Sequence, residues 1–399
     1  MIRDKSLEVY YHGMQVGTLA RMPDKRVAFQ YTDDWIRHGF SISPLSLPLG
    51  NEVFVPASDS RAVFHGLFGV FADSLPDSWG ELLLDRYLSS VGIDPSSITV
   101  LDRLAYVGTS GMGALEYVPS KNTDFNIETA GMNYDEIAGE CGKLLSSKTS
   151  DKLDILYELG GSSGGTRPKI LLREDGTERI IKFPAREDPA ISGKREYDYS
   201  ICAGKCGIDM TKTWLVDSKV CEGYFETERF DRKGDLKIMT ATAAGLLEAD
   251  FRAPSCDYRT FMKLVQVLTK DNDHDTEQMY RVMCFNVLTH NRDDHAKNFS
   301  FMFTEDKGWR LAPAYDLTYS DTYFGEHTTS VNGKGRDITD DDLVRIGTEG
   351  GLSGNKCRQI LEHIRIQTET LSEYLSGRYL PKGGRTDMKN RIKEITGKK

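Results

Sequence analysis

The segment 290–298 carries the residue types that phosphoryl transfer requires. It contains Asp293 and, five positions later, Asn298. A carboxylate can orient an attacking hydroxyl and accept its proton, and an amide oxygen close by can bind magnesium. The spacing therefore predicts Asp293 as a catalytic base and Asn298 as a magnesium ligand.

The same spacing occurs in the catalytic loops of protein kinases, although alone it has many chance matches. Eighteen residues after Asn298 comes Asp316, just past a predicted hairpin. A carboxylate at this place would complete the metal site. The alternative is a turn aspartate that caps a helix. Because the 290–298 segment lies upstream, we favour metal binding.

Two features nearer the N-terminus would bind phosphate oxygens. Lys182 lies in an apolar, strand-like stretch, where its ammonium needs a partner. Phosphate would supply one, with Glu196 on the next helix as counter-ion; a lysine facing solvent is the alternative. The glycine-rich segment 160–169 would offer main-chain N–H groups, with Arg167 and Lys169 adding positive charge. Such a segment is often only a flexible connection.

Other kinds of site fit the chain less well. The Gly-x-Ser-x-Gly letters occur at 160–164 and 161–165, but this segment precedes a predicted strand and lacks the strand-to-helix turn of a hydrolase. The glycine-rich segment precedes a strand, whereas a dinucleotide-binding fold needs a helix there. A divalent-metal hydrolase would lack a second His/Asp cluster to complete its shell; its candidate ligands would be His290, Asp293, Asp294 and His295.

Composition restricts the class of protein further. The 399 residues include 51 Lys and Arg against 60 Asp and Glu, a net charge of −9. Such a surface argues against general nucleic-acid binding. The segment 381–399 is locally basic, which we interpret as a solvated tail, with a weak phosphate or partner contact as the alternative. Seven cysteines without a Cys-x-x-Cys motif fit a reducing compartment, and no apolar run is long enough to span a membrane. We expect a cytoplasmic protein.

The apolar pattern places strands first and helices last, which predicts an α+β fold. Alternating apolar residues predict strands at 7–12, 15–22 and 26–31, and glycines interrupt a predicted strand pair that ends near Val118. Helical spacing predicts helices around 79–88, 195–206, 261–268, 276–288 and 356–375, with a hairpin at 299–312 between the last two.

In this order the motifs resemble those of the HipA family of serine/threonine-protein kinases, the toxins of bacterial toxin–antitoxin modules. The resemblance covers nearly the whole chain. It rests on Phe-Ala-Asp-Ser-Leu-Pro-Asp-Ser-Trp-Gly at 71–80, Gly-Ser-Ser-Gly-Gly-Thr-Arg-Pro-Lys at 161–169, Ile-Lys-Phe-Pro at 181–184, Glu-Arg-Phe-Asp-Arg at 228–232, Asp-Asp-His-Ala-Lys-Asn at 293–298 and Pro-Ala-Tyr-Asp at 313–316.

The resemblance implies a protein-kinase-like two-lobed α+β fold with an extra N-terminal α/β subdomain and a helical C-terminal lobe. We expect the N-terminal subdomain at 1–125, a nucleotide-binding α/β subdomain at 126–236, and the helical lobe with the catalytic loop at 237–399.

The resemblance also implies roles for individual residues. Asp293 is similar to the catalytic base, and Asn298 and Asp316 are similar to the magnesium ligands. Residues 228–230 resemble the hinge whose main chain meets adenine, and a serine of the glycine-rich loop, Ser162 or its neighbour Ser163, would be autophosphorylated. The nucleotide-binding set implied is Gly164, Gly165, Thr166, Lys169, Lys182, Glu196, Glu228, Arg229, Phe230, Asp231, His295 and Lys297.

A HipA-like protein would use ATP and Mg²⁺ to phosphorylate a translation-related protein, with an aminoacyl-tRNA synthetase as one candidate. A HipB-like helix-turn-helix antitoxin would neutralise it and would make the DNA contact, so that this chain meets DNA only indirectly. Two alternatives stay open: a non-catalytic module that binds nucleotide and a repressor, and a phosphotransferase for small molecules.

Overall fold

The computed structural model of the protein describes residues 5–121, 133–162, 165–185, 187–253, 255–321 and 325–375. The chain divides into two compact units. Unit 1 comprises Met1–Arg186 and Asp231–Glu248, and unit 2 comprises Glu187–Phe230 and Ala249–Lys399. The basic segment 381–399 lies outside the described residues, and the division into three domains stays a prediction.

The described part of the chain contains both strands and helices. The strands are β1 Ser6–Tyr11, β2 Met14–Arg21, β3 Val27–Tyr31, β4 Leu115–Val118, β5 Lys169–Glu174, β6 Thr177–Lys182, β7 Thr213–Val216, β8 Tyr224–Glu228, β9 Arg232–Lys233, β10 Leu236–Lys237, β11 Met239–Thr242, β12 Ser300–Thr304 and β13 Gly308–Leu311. The helices are α1 Asp33–His38, α2 Ser60–Val63, α3 Gly69–Ala72, α4 Ser78–Ser90, α5 Val100–Val107, α6 Tyr134–Leu145, α7 Leu153–Gly160, α8 Ser192–Lys205, α9 Ala243–Leu247, α10 Tyr258–Thr269, α11 Asp273–Thr289, α12 Asp340–Glu349, α13 Gly354–Thr368 and α14 Ser372–Leu375.

Unit 1 begins with an antiparallel sheet of strand order β3-β2-β1-β4. The three strands predicted at its start are confirmed. The strand predicted to end near Val118 is confirmed as β4, but the preceding strand of the predicted pair is wrong, because α5 occupies that place and β4 pairs with β1. Thr99 and Asp102 form a capping box, and Leu101, Leu104 and Ala105 are buried on one face of α5. This helical signal outweighs the glycines that follow it.

A hairpin formed by β5 and β6 lies further along unit 1. The two residues between the strands, Asp175 and Gly176, both have positive φ, which gives the tight turn that a two-residue connection needs. The turn fixes the register, and Lys169 therefore pairs directly with Lys182. Helix α7 contacts β5 and also α4, where Tyr87 and Tyr157 stack with 4.3 Å between ring centroids.

Unit 2 is mainly helical. Helix α11 packs against α10, α12 and α13, and its buried side chains include Tyr280 and Phe285. Asn272 caps the start of α11, and His290, whose φ is +55°, caps its end after Thr289. The helices predicted at 261–268 and 276–288 and the hairpin β12–β13 are confirmed. The helix predicted at 356–375 is instead divided, because a 3-10 turn at 369–371 separates α13 from α14. No helix among the described residues has the length and apolar content needed to cross a membrane.

Candidate active site

The segment that follows α11 holds the two residues predicted from their spacing. The side chain of Asp293 is 60% exposed. Residues 296–298 form a short 3-10 helix that turns Asn298 back, so that its Nδ2 donates to the main-chain oxygen of Asp293 at 2.7 Å. The amide nitrogen of Asn298 is thereby occupied by the loop itself, and its carbonyl oxygen Oδ1 is the atom left to serve as a ligand.

Asp316 lies in unit 2 as well, on the segment that follows β13. It is half-buried and its φ is +53°. The preceding residue, Tyr315, connects this segment to the loop 290–298, because its hydroxyl donates to the main-chain oxygen of Lys297 at 2.6 Å. The same hydroxyl lies 2.6 Å from Oγ of Ser300. The loop that carries Asp293 and the segment that carries Asp316 are therefore joined by one phenol.

His295 and Lys297, both in the loop 290–298, contact the aromatic ring of Phe251. Nζ of Lys297 is 4.5 Å from the ring centroid of Phe251, and the His295 ring meets the same phenylalanine edge-on. Nε2 of His295 is 3.9 Å from Oδ1 of Asp293. A cation over an aromatic face is weakly held at a partly exposed site. The nucleotide contacts of both residues stay predictions.

The glycine-rich segment lies in unit 1 and is held by the motif at 71–80. Oδ2 of Asp77 accepts a hydrogen bond from the Gly165 N–H at 2.7 Å. Trp79 donates from Nε1 to the main-chain oxygen of Lys169 at 3.1 Å. Gly165 has a φ of +88°, a backbone conformation that residues with a β-carbon rarely adopt. The backbone at this position therefore favours glycine.

Two of the predicted phosphate-binding groups are neighbours in the β5–β6 hairpin. Lys169 and Lys182 are directly opposed across the two strands. Opposed residues of an antiparallel pair point to the same face, so both lysine side chains leave the same face of the hairpin. Lys169 is buried and Lys182 half-buried.

The segment that resembles a hinge follows β8. Glu228 ends the strand, Arg229 is buried, and Phe230 stacks on Tyr315 with 5.5 Å between the ring centroids. Asp231 belongs to unit 1, where its fully buried carboxylate accepts hydrogen bonds from Gly113 N–H and Arg232, both at 2.8 Å. The side chain of Asp231 thus stabilises the fold, and the nucleotide contacts of residues 228–231 stay predictions.

The remaining predicted residues fall in several places. Ser162 is buried and donates from Oγ to the main-chain oxygen of Ser110 at 3.0 Å. Thr166 is exposed, and Glu196 is buried in α8. The pairing of Glu196 with Lys182 stays a prediction, as does autophosphorylation of Ser162 or Ser163. Ser163 and Gly164 lie outside the described residues.

The side-chain oxygens of Asn298 and Asp316 differ in type from the His/Asp metal site of a hydrolase. An amide oxygen from Asn298 and a carboxylate from Asp316 are hard oxygen donors, the type that Mg²⁺ prefers. The hydrolase alternative needs a cluster of imidazoles and carboxylates. Asp294 instead accepts hydrogen bonds from Tyr258 and His327. Among the residues the structure describes, no group of three His, Cys, Asp or Glu side chains is placed to hold a metal ion.

Sequence reasoning missed the supporting contacts of three residues, Tyr315, Asp77 and Asp294. Tyr315 is adjacent to Asp316, and that adjacency is the signal that could have singled it out. Asp77 bonds a residue 88 positions away, and no local spacing reports such a contact. The sequence suggests Asp294 only as a candidate metal ligand, and its buried contacts come from distant residues.

Comparison with known protein families shows the family to which the chain belongs. A model of the HipA-like C-terminal domain matches residues 161–371, more than half of the chain. A model of the HipA N-terminal domain matches residues 7–118. The chain belongs to the HipA family. The resemblance inferred from the motifs is therefore confirmed.

Individual HipA-family relatives are distant from this chain. A putative kinase, Y4dM, from Sinorhizobium fredii is 24% identical over 391 residues and is matched over 91% of each chain. The serine/threonine-protein kinase toxin HipA from Shewanella oneidensis is 23% identical over 356 residues, which span 80% of this chain and 76% of the toxin.

The HipA fold is also shared with a solved structure. HipA from the Shewanella oneidensis MR-1 toxin–antitoxin system, solved in complex with HipB and its operator DNA, has a TM-score of 0.69 to this chain. The match covers 98% of both chains at 19% identity. The predicted kinase-like α+β fold is confirmed.

Proposed function

We propose that this HipA-family protein is an ATP- and Mg²⁺-dependent serine/threonine-protein kinase. The observation that carries the proposal is the catalytic loop, in which exposed Asp293 and Asn298 are joined by a 2.7 Å hydrogen bond. The kinase names of the relatives support it. The opposed lysines 169 and 182 add the positive charge that a polyphosphate would need.

In the proposed reaction, a serine or threonine hydroxyl attacks the γ-phosphorus of ATP. A new oxygen–phosphorus bond forms, the bond to the bridging oxygen breaks, and ADP leaves. The side chain of Asp293 is exposed, so a substrate hydroxyl can reach it. Asp293 then orients this hydroxyl and accepts its proton. Magnesium, held by Asn298 and Asp316, would neutralise charge on the phosphate oxygens.

The proposal extends to partners. The Shewanella protein of shared fold was solved with HipB and operator DNA. We infer a HipB-like antitoxin for this chain, which would make the DNA contact, because the net charge here is −9. A translation-related target, with an aminoacyl-tRNA synthetase as one candidate, and autophosphorylation at Ser162 or its neighbour belong to the same proposal, as does a cytoplasmic location.

The test is transfer of labelled phosphate. Purified protein is incubated with γ-labelled ATP and magnesium, alone and with cell lysate, and labelled sites are mapped by mass spectrometry. Asp293→Asn and Asp316→Asn are expected to lower transfer by about 10²-fold or more. Asp341→Asn is the charge-matched control, because Asp341 is an exposed residue in the first turn of α12.

Each outcome points to one function. Label on serine or threonine of a protein supports the proposal. Label only on added metabolites would identify a small-molecule phosphotransferase. Nucleotide binding without any transfer, in lysate as well, would indicate the non-catalytic module and overturn the proposal.

A further inference from the structure

Directly after exposed Asp293 lies Asp294, which is fully buried. Its carboxylate accepts hydrogen bonds from the hydroxyl of Tyr258 at 2.8 Å and from the main-chain N–H of Thr329 at 3.1 Å. Nδ1 of His327 lies 2.9 Å from the same carboxylate. The main-chain oxygen of Asp294 accepts a hydrogen bond from the Thr329 hydroxyl. This aspartate is enclosed by hydrogen-bonding groups and has no access to a substrate.

The network reaches the beginning of the catalytic loop by a second route. Nδ2 of Asn286 donates to the hydroxyl of Tyr258 at 2.9 Å, and Nδ2 of Asn291 donates to Oδ1 of Asn286 at 2.9 Å. Asn286, Asn291 and Tyr258 are all at least nine-tenths buried. One continuous buried chain of polar groups therefore joins Asn291 to Asp294, the residues on either side of Arg292 and Asp293.

The residues between these two anchors are also held. Thr328 donates from its main-chain N–H and from its hydroxyl to the oxygen of Arg292, both at 3.0 Å. The segment 327–329 thus runs alongside the loop and hydrogen-bonds to the residue on each side of Asp293. The side chain of the proposed catalytic base is left to face solvent.

Such an arrangement is energetically demanding. A buried carboxylate loses its hydration and is tolerated only when hydrogen bonds replace it. Removing one member leaves the others buried and unsatisfied, so the network favours a single loop conformation. We propose that Asp294 is a positioning residue that fixes the catalytic loop, and thereby Asp293, against segment 327–329. The inference rests on the proposed kinase function only for its activity measurement.

The experiment combines hydrogen–deuterium exchange with kinetics on the full chain carrying Asp294→Asn, which keeps the size of the side chain and removes its charge. We expect amide exchange in residues 292–298 and 327–330 to accelerate about tenfold or more, while exchange in α13 is unchanged. We expect kcat to fall about tenfold or more with nucleotide Kd within about twofold of wild type, a split that general destabilisation would not give.

Two controls separate positioning from catalysis. Asp293→Asn should lower transfer by about 10²-fold or more but leave exchange in both segments at the wild-type rate, because its side chain is exposed. If Asp294→Asn does not fold, Thr329→Val decides, since it removes only the hydroxyl that bonds the oxygen of Asp294. Wild-type exchange in whichever of these two variants is folded would overturn the inference. If wild-type protein transfers no phosphate, the proposed function fails, and exchange still decides whether Asp294 anchors the loop.

Discussion

The side-chain amide of Asn298 donates to the main-chain oxygen of Asp293 over 2.7 Å. This hydrogen bond gives Asn298 two separable tasks, because its nitrogen holds the loop and its oxygen is the proposed magnesium ligand. Substitutions can remove the two tasks one at a time.

Asn298→Asp keeps an oxygen ligand but places an oxygen against the carbonyl of Asp293. We expect kcat to fall about tenfold, since a favourable bond becomes a repulsion, while the magnesium concentration for half-maximal rate does not rise. Asn298→Ala removes the ligand too and should raise that concentration. Magnesium titrations of the initial rate measure both. Wild-type kcat in Asn298→Asp would show that the bond has no part in activity.

Tyr315→Phe tests the connection between the two loops. The variant removes the hydroxyl that bonds Lys297 and lies beside Ser300, and it preserves the stacking on Phe230. We expect a rise of about tenfold in the magnesium concentration for half-maximal rate, because Asp316 is no longer fixed relative to Asn298. Tyr319→Phe, three residues past Asp316, is the matched control. Equal behaviour of the two variants would contradict the prediction.

Asp77 should affect nucleotide binding although it lies far from the catalytic loop in sequence. Asp77→Ala leaves the Gly165 N–H without its carboxylate acceptor, whereas Asp77→Asn retains an oxygen that can accept. We expect the Kd for a fluorescent ATP analogue to rise about tenfold in the alanine variant and less in the asparagine variant. Ser78→Ala, at the neighbouring position, serves as the control. An unchanged Kd in Asp77→Ala would remove the glycine-rich segment from nucleotide binding.

Glu248 makes the stability of the protein depend on pH. Burial raises the pKa of its carboxyl from the ordinary 4.5 to about 7, and the charges of Asp73 and Asp59 add to the effect, although Gly69 N–H and Ser46 donate to it. A raised pKa means that the folded state binds the proton more tightly. The free energy of unfolding should therefore fall, by about 3 kcal/mol from this group, as pH rises from 4.5 to 7.

Urea unfolding of wild type and Glu248→Gln at pH 5 and pH 8 measures this contribution, because groups common to both proteins cancel in the difference. Glutamine has no proton to lose. The free energy of unfolding of the variant minus that of wild type should be larger at pH 8 than at pH 5. A difference that does not change between the two values of pH would contradict the pKa shift.

Sequence patterns predicted the elements whose signals are local. Asp293 and Asn298 lie close together because one short loop carries both. Asp175 and Gly176 fix the register that places Lys169 opposite Lys182. Contacts made across the fold were missed. The carboxylate of Asp77 reaches Gly165, and that of Asp294 reaches His327, and neither interval follows a helical or strand period.

Asp316 has a φ of +53°, a left-handed conformation that glycine adopts without cost. For a residue with a β-carbon this conformation costs about 1 kcal/mol. Mutational drift that was screened for thermostability alone would therefore accept Asp316→Gly and erase the carboxylate. Selection for thermostability alone would thus not preserve the carboxylate that is proposed to bind magnesium.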